Sequence, residues 1–376
     1  MDILKYALIG GNLDSFIGKV HKTAIDFDPR LKLVAGCFSR NSSKNMTAGL
    51  TYGLSEDKIY NDYETLAKSE KDNIDFVVIT SQNFTHYDIA KEFLVNGINV
   101  VCEKPLCFEI SQAEELCKLA KDKGLIFAVT YSYTGYTMAR VIKEMIENGD
   151  IGEVINVNAE YIQGWLLDDV KNAQEADHSL SLWRKDPTQA GISNCTGDIG
   201  THIENFIHFT TGLKIKKLLA TTNSWGNSLD LNANIILEYD NGANGAYWCS
   251  QVAAGHLNDL TVRIYGTKGS IIWEELNPEQ IKYTPKDEAT RLIFKGEGYI
   301  KEKAGAYARI PSGHPEGLFV AFANIYKDVA DAIINSKNGK TVDKYIFPTV
   351  EDGLNGVKFT HAVINSGKNN SSWQEL

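Results

Sequence analysis

The sequence predicts an α/β protein in which a doubly wound parallel sheet is followed by an α+β domain with a mostly antiparallel sheet. Two observations predict this order. Short apolar runs alternate with helical patterns up to about residue 131, whereas from about residue 152 longer strand-like runs follow one another through turns. A chain of 376 residues has room for about two to three domains of roughly 150 residues. We expect the first domain at residues 1–131 and the second at residues 132–376.

The strands of the first domain are predicted from runs that are apolar throughout, as expected of strands buried on both faces. They are expected at residues 4–9, 31–38, 74–80, 99–102 and 126–131, with helices at residues 86–96 and 111–123 among the segments between them. Gly97 and Gly124 follow two of these segments and are typical helix-ending residues.

The second domain is predicted from longer strand-like runs and two closing helices. The strands are expected at residues 154–162, 215–225, 232–239 and 245–254, and the helices near residues 318–335 and 351–365. Asp240-Asn241-Gly242 predicts a tight turn between two of the strands. Residues 369–372 are expected to fray.

Composition and charge limit the classes of partner. Lys and Arg total 38 and Asp and Glu total 48, so the net charge of −10 disfavours nucleic acid and anionic membranes as partners. The six cysteines form no C-x-x-C pair, which favours a reduced, cytoplasmic setting. No signal peptide is expected, and no apolar run reaches the about 18 residues of a membrane span.

A glycine-rich loop after the first strand predicts a dinucleotide site. Gly10 and Gly11 precede a helix start, where backbone N–H groups and the helix dipole bind phosphate. Asn12 stands in place of a second fingerprint glycine, and Gly18 comes late. The predicted cofactor contacts in this loop are Gly10, Gly11, Asn12, Ser15, Phe16 and Ile17.

The end of the second strand favours NADP over NAD. An acid that would bind the ribose 2′-hydroxyl is expected about 20 residues after the glycines, and none occurs in Cys37-Phe38-Ser39-Arg40. Ser39 and Arg40 instead offer a hydroxyl and a guanidinium to a 2′-phosphate. The alternative is that Arg40 is a solvated charge and the cofactor is NAD.

Two further segments suggest proton chemistry. Lys104 follows the fourth strand, at the sheet edge where open α/β folds bind ligands, and can donate to a substrate oxygen. Asp198 and His202 are four residues apart, so on a helix they would project from one face, and histidine suits proton transfer near neutral pH. The alternative for this pair is a helix N-terminal acid and a buried structural histidine.

These segments together resemble the glucose-fructose oxidoreductase / inositol dehydrogenase / rhizopine catabolism (Gfo/Idh/MocA) family, and residues 15–21, 163–166 and 313–317 resemble its levoglucosan dehydrogenase branch. The resemblance rests on residues 18–21, 81–86, 103–105, 149–153, 198–202 and 266–270. It implies a Rossmann domain, an open-faced second sheet, a catalytic trio of Lys104, Asp198 and His202, and cofactor contacts that include Ser81, Asn83, His86, Glu103 and Lys104. Asn12, Asp14 and Ser81 depart from the family pattern.

The substrate is expected to be polyhydroxylated, because aromatic side chains with nearby donors suit rings that have an apolar face and a rim of hydroxyls. The predicted substrate contacts are Tyr133, Tyr136, Gln163, Trp165, Trp183, Arg184 and His314, with ordinary core packing as the alternative for each aromatic. No metal-ligand spacing is found, and no metal is expected.

The leading hypothesis is an NAD(P)-dependent oxidoreductase acting on a secondary alcohol or ketone of a sugar, sugar derivative or cyclitol. The alternatives are an NAD-dependent glycoside hydrolase that oxidises its substrate transiently, and a non-catalytic cofactor-sensing regulator. An open-faced sheet leaves one side uncovered, so we expect a homodimer or homotetramer.

Overall fold

The computed structural model describes residues 2–170, 186–300, 302–340 and 345–376 and divides the chain into two compact units. The first unit comprises Met1–Gly135 and Leu318–Leu354, and the second comprises Tyr136–Gly317 and Asn355–Leu376. The sequence predicts one division, at residues 131/132. The structure differs, because residues 318–354 return to the first unit.

The first unit is built on a parallel sheet of five strands among the described residues, as predicted. The strands are β1 (Leu4–Gly10), β2 (Leu31–Cys37), β3 (Phe76–Thr80), β4 (Asn99–Cys102) and β5 (Phe127–Val129). Their order is β2-β1-β3-β4-β5, and each neighbouring pair is parallel. The order changes direction at β1 and β3, and ligands of doubly wound folds bind at the carboxyl ends of strands beside such a switch point.

The second unit contains a sheet of nine strands within the described residues. They are β6 (Val154–Ile162), β7 (Ile215–Asn223), β8 (Asn232–Tyr239), β9 (Asn244–Ser250), β10 (Asp259–Gly266), β11 (Gly269–Glu274), β12 (Gln280–Pro285), β13 (Arg291–Phe294) and β14 (Gln374–Glu375). The order is β13-β12-β11-β10-β6-β9-β8-β7-β14. Of these pairs β6 and β9 are parallel and the others antiparallel, which confirms a mostly antiparallel sheet.

The predicted helices at residues 86–96, 111–123, 318–335 and 351–365 are present, and further helices accompany them. Together the helices are α1 (Phe16–Ile25), α2 (Ser42–Thr51), α3 (Tyr63–Glu70), α4 (His86–Val95), α5 (Ile110–Lys123), α6 (Thr137–Glu147), α7 (Pro187–Ala190), α8 (Thr201–Thr211), α9 (Glu302–Gly305), α10 (Gly317–Lys337) and α11 (Val350–Lys368). Short 3-10 turns cover Glu56–Lys58, Asn83–Thr85, Ser132–Gly135 and Leu167–Val170, and a π-helical turn covers Thr196–Gly200.

The core of the first unit includes side chains from α10. Phe322, Ile325, Tyr326 and Val329 are buried with apolar side chains of β1, α1 and β3. The amphipathic pattern of residues 318–335 therefore reflects packing in the first unit.

The end of the chain differs from the sequence expectation. Residues 369–372 were expected to fray, but the Ser366 hydroxyl donates to the Ser372 carbonyl over 2.7 Å, and Gln374 then pairs with Leu218 of β7. The last strand thereby lies on the edge of the second sheet. Among the described helices, none combines the length and the apolar character needed to cross a membrane.

Candidate functional site

The glycine loop brings strand β1 and helix α1 into close contact. Gly10 has φ 81°, and a Cβ there would lie 2.8 Å from the Ser81 nitrogen. A Cβ on Gly18 would lie 2.2 Å from the Gly11 Cα, closer than side chains permit. The late glycine therefore allows the helix to approach the loop, which is what the third glycine of the dinucleotide fingerprint does.

Side chains fix the turn that opens α1. The Asn12 side chain accepts the Asp14 N–H over 2.8 Å, and the Ser15 hydroxyl caps the helix by accepting the Gly18 N–H over 3.0 Å. The Tyr52 hydroxyl donates to the Gly11 carbonyl over 2.8 Å. The loop is thus a fixed cradle with a helix N-terminus beside it, which fits a pyrophosphate. Ile17 is partly buried and Phe16 exposed in the same turn.

The end of β2 places Ser39 and Arg40 near the end of β3. Buried Asn45 accepts the Phe38 N–H over 2.7 Å, and the Ser39 hydroxyl accepts the Asn41 N–H over 3.1 Å. The Arg40 guanidinium donates to Gln82 over 3.4 Å and lies 6.0 Å from the centroid of the Phe84 ring. Arg40 is exposed and has neighbours that hold it beside the strand ends.

Behind Lys104 lies a buried hydrogen-bond network. The Glu103 carboxylate accepts from His21 Nε2 at 2.8 Å, from the Thr130 hydroxyl at 2.5 Å and from the Lys104 N–H at 3.2 Å. His21 Nδ1 lies 2.5 Å from the Tyr326 hydroxyl. Burial alone would raise the pKa of Glu103, but the hydrogen bonds from His21 and Thr130 and the nearby Lys104 outweigh it and hold that pKa below its usual value. Glu103 therefore carries its charge inside the unit, directly before Lys104.

His86 connects two of the predicted cofactor segments. Its Nδ1 lies 2.8 Å from the Pro105 carbonyl and its Nε2 3.1 Å from the Ser81 carbonyl. Burial lowers the pKa of His86, which favours the neutral ring. The Ser81 hydroxyl bonds Thr85, and Asn83 begins the 3-10 turn before α4. A neutral ring has one N–H, so His86 donates to one of these two carbonyls and packs against the other, between the ends of β3 and β4. The Lys104–Pro105 peptide bond is cis.

In the second unit, Asp198 and His202 lie on either side of a change in helix type. Asp198 lies in the π-helical turn, and His202 is the second residue of α8. Such π turns often occur at functional sites. The Gln251 amide donates to Asp198 Oδ2 over 3.0 Å, and the ring centroid of Tyr161 lies 6.0 Å from that of His202. His202 is 6% exposed.

A chain of side-chain hydrogen bonds in the second unit holds Trp165. Its indole N–H donates to Gln163 Oε1 over 2.8 Å, and Gln163 Nε2 donates to Asn258 Oδ1 over 2.8 Å. The Tyr161 hydroxyl donates to the same Asn258 oxygen over 2.7 Å. Trp165 is 39% exposed although its polar atom is bound, so its ring is held at the surface. This chain of hydrogen bonds ends at Tyr161, whose ring lies next to that of His202.

The remaining predicted substrate residues differ in exposure. Tyr133 and Tyr136 are buried, and Tyr136 packs on Trp273 with ring centroids 5.6 Å apart. His314 is exposed, and its carbonyl accepts from buried Lys295 over 3.0 Å. Trp183 and Arg184 lie outside the described residues. Within the described ranges, no three His, Cys, Asp or Glu side chains form a group that could hold a metal ion.

Sequence reasoning missed several side chains that shape these sites, chiefly Tyr52, Thr130, Gln251 and Asn258. Thr130 directly follows β5, and a polar residue at the carboxyl end of a parallel strand is a signal that could have found it. Gln251 and Asn258 are 53 and 95 residues from Asp198 and Gln163. No local pattern in the sequence links them to those partners.

Family models match both units of the chain. One described as "Oxidoreductase family, NAD-binding Rossmann fold" matches residues 4–131, and one described as "GFO/IDH/MocA C-terminal domain" matches residues 139–272. Among curated proteins, the chain is 32% identical over 383 residues to an uncharacterized oxidoreductase, YfiI, of Bacillus subtilis, covering 99% of this chain and 97% of that protein. It is 24% identical over 396 residues to levoglucosan dehydrogenase of Pseudarthrobacter phenanthrenivorans, covering 94% of this chain and 96% of that one.

Solved structures show the same architecture. An inositol dehydrogenase homolog from Azotobacter vinelandii, complexed with NAD⁺, superposes with a TM-score of 0.93 at 31% identity, covering 100% of this chain and 98% of that one. The same homolog complexed with NADH and myo-inositol gives a TM-score of 0.91 at 30% identity, with the same coverage.

Proposed function

Because the chain belongs to the Gfo/Idh/MocA family of NAD-binding oxidoreductases, we propose that it transfers hydride between a nicotinamide cofactor and a secondary alcohol or ketone of a sugar, sugar derivative or cyclitol. One observation carries the proposal. Asp198 and His202 flank the junction of the π-helical turn and α8, and Gln251 holds the Asp198 carboxylate. A histidine beside an oriented carboxylate is an arrangement suited to moving a hydroxyl proton.

Each residue of the trio has a distinct task in this proposal. His202 accepts the hydroxyl proton as the alcohol is oxidised, and returns it in the opposite direction. Lys104 supplies an ammonium group that can donate to a substrate oxygen and stabilise its developing negative charge. Asp198 orients His202 or binds a neighbouring hydroxyl. The nicotinamide, when bound, supplies the hydride acceptor.

The cofactor cradle is formed by residues of the first unit. Gly10, Gly11 and the capped start of α1 would hold the pyrophosphate, and Ser39 and Arg40 would hold the adenosine ribose. We infer that the Arg40 guanidinium favours NADP, because it is a fork suited to a 2′-phosphate and residues 37–41 include no acid. The Azotobacter homolog was crystallised with NAD⁺ and NADH, so NAD is the alternative that experiment must exclude.

The substrate contacts are proposed in the second unit around Trp165. Its half-exposed ring, held by Gln163, offers a flat apolar surface to one face of a sugar or cyclitol ring. Binding of myo-inositol by the Azotobacter homolog supports a polyol substrate. Tyr133, Tyr136, Trp183, Arg184 and His314 remain proposed contacts.

Self-association is proposed through the open face of the second sheet. Ile236 and Ala246 lie exposed opposite each other on β8 and β9, and Trp248 is partly exposed on the same face. Such a face suits a homodimer or homotetramer. We infer a cytoplasmic setting from the six cysteines, all of which lie in the described residues and form no disulfide there.

The function is tested by turnover against monosaccharides, glycosides, anhydrosugars and inositols with each cofactor. On the best substrate, Lys104→Ala and His202→Ala should each lower kcat by about 10²- to 10⁴-fold while cofactor affinity changes little. Lys104→Arg should not restore activity, because the guanidinium has a different reach and a fixed charge. Lys68→Ala, at a lysine whose side chain is 69% exposed, is the control. Turnover near that of the unmodified protein in both alanine variants would remove these assignments.

The cofactor preference is tested by calorimetric titration of NADP and NAD. Arg40→Ala should weaken NADP binding about tenfold or more and leave NAD binding nearly unchanged, because hydrogen bonds between charged groups contribute about 1.5–3 kcal/mol. Arg291→Ala, at an exposed arginine of the second unit, is the control. Equal losses for the two cofactors, or tighter binding of NAD by the unmodified protein, would show that Arg40 does not select NADP.

A further inference from the structure

Asp230 is a buried carboxylate that binds the chain segment leading to Asp198. It is 5% exposed and accepts four hydrogen bonds. Its Oδ1 accepts from the Ser193 hydroxyl and the Asn194 N–H, both over 2.8 Å. Its Oδ2 accepts from the N–H and the hydroxyl of Thr196, over 2.8 and 2.7 Å. All four donors are neutral, and in the described part of the chain no Lys or Arg forms an ion pair with Asp230. The direction of the Asp230 carboxyl group is therefore fixed by hydrogen bonds from this one segment.

These hydrogen bonds hold the start of the π-helical turn. While it donates to Asp230, the Ser193 hydroxyl also accepts the Gly197 N–H over 2.9 Å. The Asp198 N–H donates to the Asn194 carbonyl over 2.9 Å. Asn194 and Thr196 thus bind the Asp230 carboxylate directly through their backbone N–H groups. Gly197 is linked to it through the Ser193 hydroxyl, and Asp198 through Asn194.

A second link orients the side chain of Asp198. A carboxylate accepts only, so the amide of Gln251 must turn its NH₂ group toward Asp198 Oδ2. Its Oε1 is then left to accept Asn194 Nδ2, over 2.9 Å. Gln251 is fully buried, so both orientations are fixed by hydrogen bonds within the protein. The chain of contacts runs without a gap from Asp230 through Asn194 and Gln251 to Asp198.

We propose that Asp230 and Gln251 are positioning residues of the reaction: Asp230 fixes the turn that carries Asp198, and Gln251 fixes the direction of the Asp198 carboxylate. This rests on the proposed function, in which Asp198 and His202 handle the substrate hydroxyls. Groups whose direction is fixed by hydrogen bonds within the protein need not be ordered again in each catalytic cycle. A displacement of about 1 Å at such a site can cost roughly 10²-fold in rate.

The first test is Asp230→Asn. Asparagine keeps the size but turns an NH₂ group toward either Ser193 and Asn194 or Thr196, so the hydrogen bond from the backbone N–H on that side is lost and the hydroxyl there must reverse its direction. We expect kcat to fall about 10- to 100-fold while cofactor affinity stays the same and circular dichroism shows a folded protein. Asp352→Asn is the matched control, because Asp352 accepts from the N–H and hydroxyl of Thr349 over 2.7 and 2.8 Å at the start of another helix. That variant should lose stability and keep kcat.

The second test is Gln251→Glu, which keeps the contact to Asn194 but sets a second carboxylate against Asp198. Two adjacent carboxylates raise the pKa at which one of them protonates. We expect the acidic limb of the kcat/KM profile to move up by about one pH unit or more. The other titratable groups around Asp198 are unchanged in this variant; they are His202 of α8, Cys195 before the turn, Cys249 of β9 and Asp230. If the Asp198 carboxylate that Gln251 holds has no part in the reaction, this variant lowers stability and leaves the profile in place.

The outcomes separate this inference from the proposed function. If the unmodified protein oxidises no member of the substrate panel, the proposed function fails. If it does, but folded Asp230→Asn keeps kcat within about twofold and Gln251→Glu leaves the pH profile in place, the positioning inference alone is overturned. If Asp230→Asn does not fold, the Gln251→Glu profile decides. Faster amide exchange in residues 193–202 of Asp230→Asn, with Asp352→Asn unchanged there, is the expected structural readout.

Discussion

Glu103 keeps a negative charge inside the first unit because three elements direct donors at it. His21 comes from α1, Thr130 follows β5, and the Lys104 N–H closes the set. A buried carboxylate without such partners would be protonated near neutral pH. The network also restricts the backbone of Lys104, the residue proposed to bind the substrate oxygen. The stability of the folded protein should therefore depend on pH through Glu103.

Glu103 predicts a loss of stability in acid. Because its pKa is lower in the folded chain than its ordinary value of 4.5, the unfolded chain binds more protons as pH falls. The stabilisation is fully present above that value and is lost as pH falls through the pKa of the folded state. The free energy of unfolding in urea, measured from about pH 6 to about pH 3, should fall less steeply in Glu103→Gln than in the unmodified protein.

The control for this prediction is Glu115→Gln. Glu115 pairs with Lys91 over 2.7 Å at the surface, where solvent screens the interaction. Its removal should change the slope less than removal of Glu103. Identical slopes for Glu103→Gln and the unmodified protein would show that another group controls acid unfolding.

At the scale of elements, the sequence predicted several strands closely and missed the short strands toward one edge of the second sheet. The predicted bounds of β4, β6 and β8 agree with the structure to the residue. Strands β10 to β13 were not predicted. In β11 and β12 the buried side chains are separated by partly exposed ones, because one face of the sheet is open. Short strands with one buried face give a weak signal in the sequence.

The contact between β1 and α1 depends on Gly18. Alanine there would bring a methyl group to 2.2 Å from the Gly11 Cα, so the helix or the loop must shift. We expect Gly18→Ala to destabilise the protein by about 1–3 kcal/mol and to weaken cofactor binding, because the loop and the helix start both contribute to the cradle. Thermal unfolding and calorimetric titration measure the two effects.

Gly298→Ala is the matched control, since a Cβ at Gly298 meets no atom within 4 Å. It should leave both quantities close to those of the unmodified protein. If Gly18→Ala binds cofactor and unfolds like Gly298→Ala, the close approach is not required and the loop tolerates movement.

At the scale of the whole molecule, hydrophobic periodicity in the sequence identified the buried face of a helix but not the domain in which that face packs. The periodicity of residues 318–335 predicted an amphipathic helix and, from its position, a place in the second domain. The structure packs Phe322, Ile325 and Val329 of that helix into the core of the first unit. Similarly, the motifs predicted Lys104, Asp198 and His202, whereas Gln251 and Asp230 reach Asp198 through long-range pairing that no local pattern encodes.

This division predicts how fragments of the chain behave. Residues 1–135 alone lack α10, so the core side chains that Phe322 and Tyr326 cover would be exposed to water. Gly135 lies against the first half of α10, because Asn324 of that helix donates to the Gly135 carbonyl over 3.0 Å. A short Gly/Ser linker can therefore join residue 135 to residue 318. We expect residues 1–135 to show no cooperative unfolding, and the joined chain of residues 1–135 and 318–354 to unfold cooperatively and bind cofactor. Cooperative unfolding and cofactor binding by residues 1–135 alone would show that α10 is dispensable for the first unit.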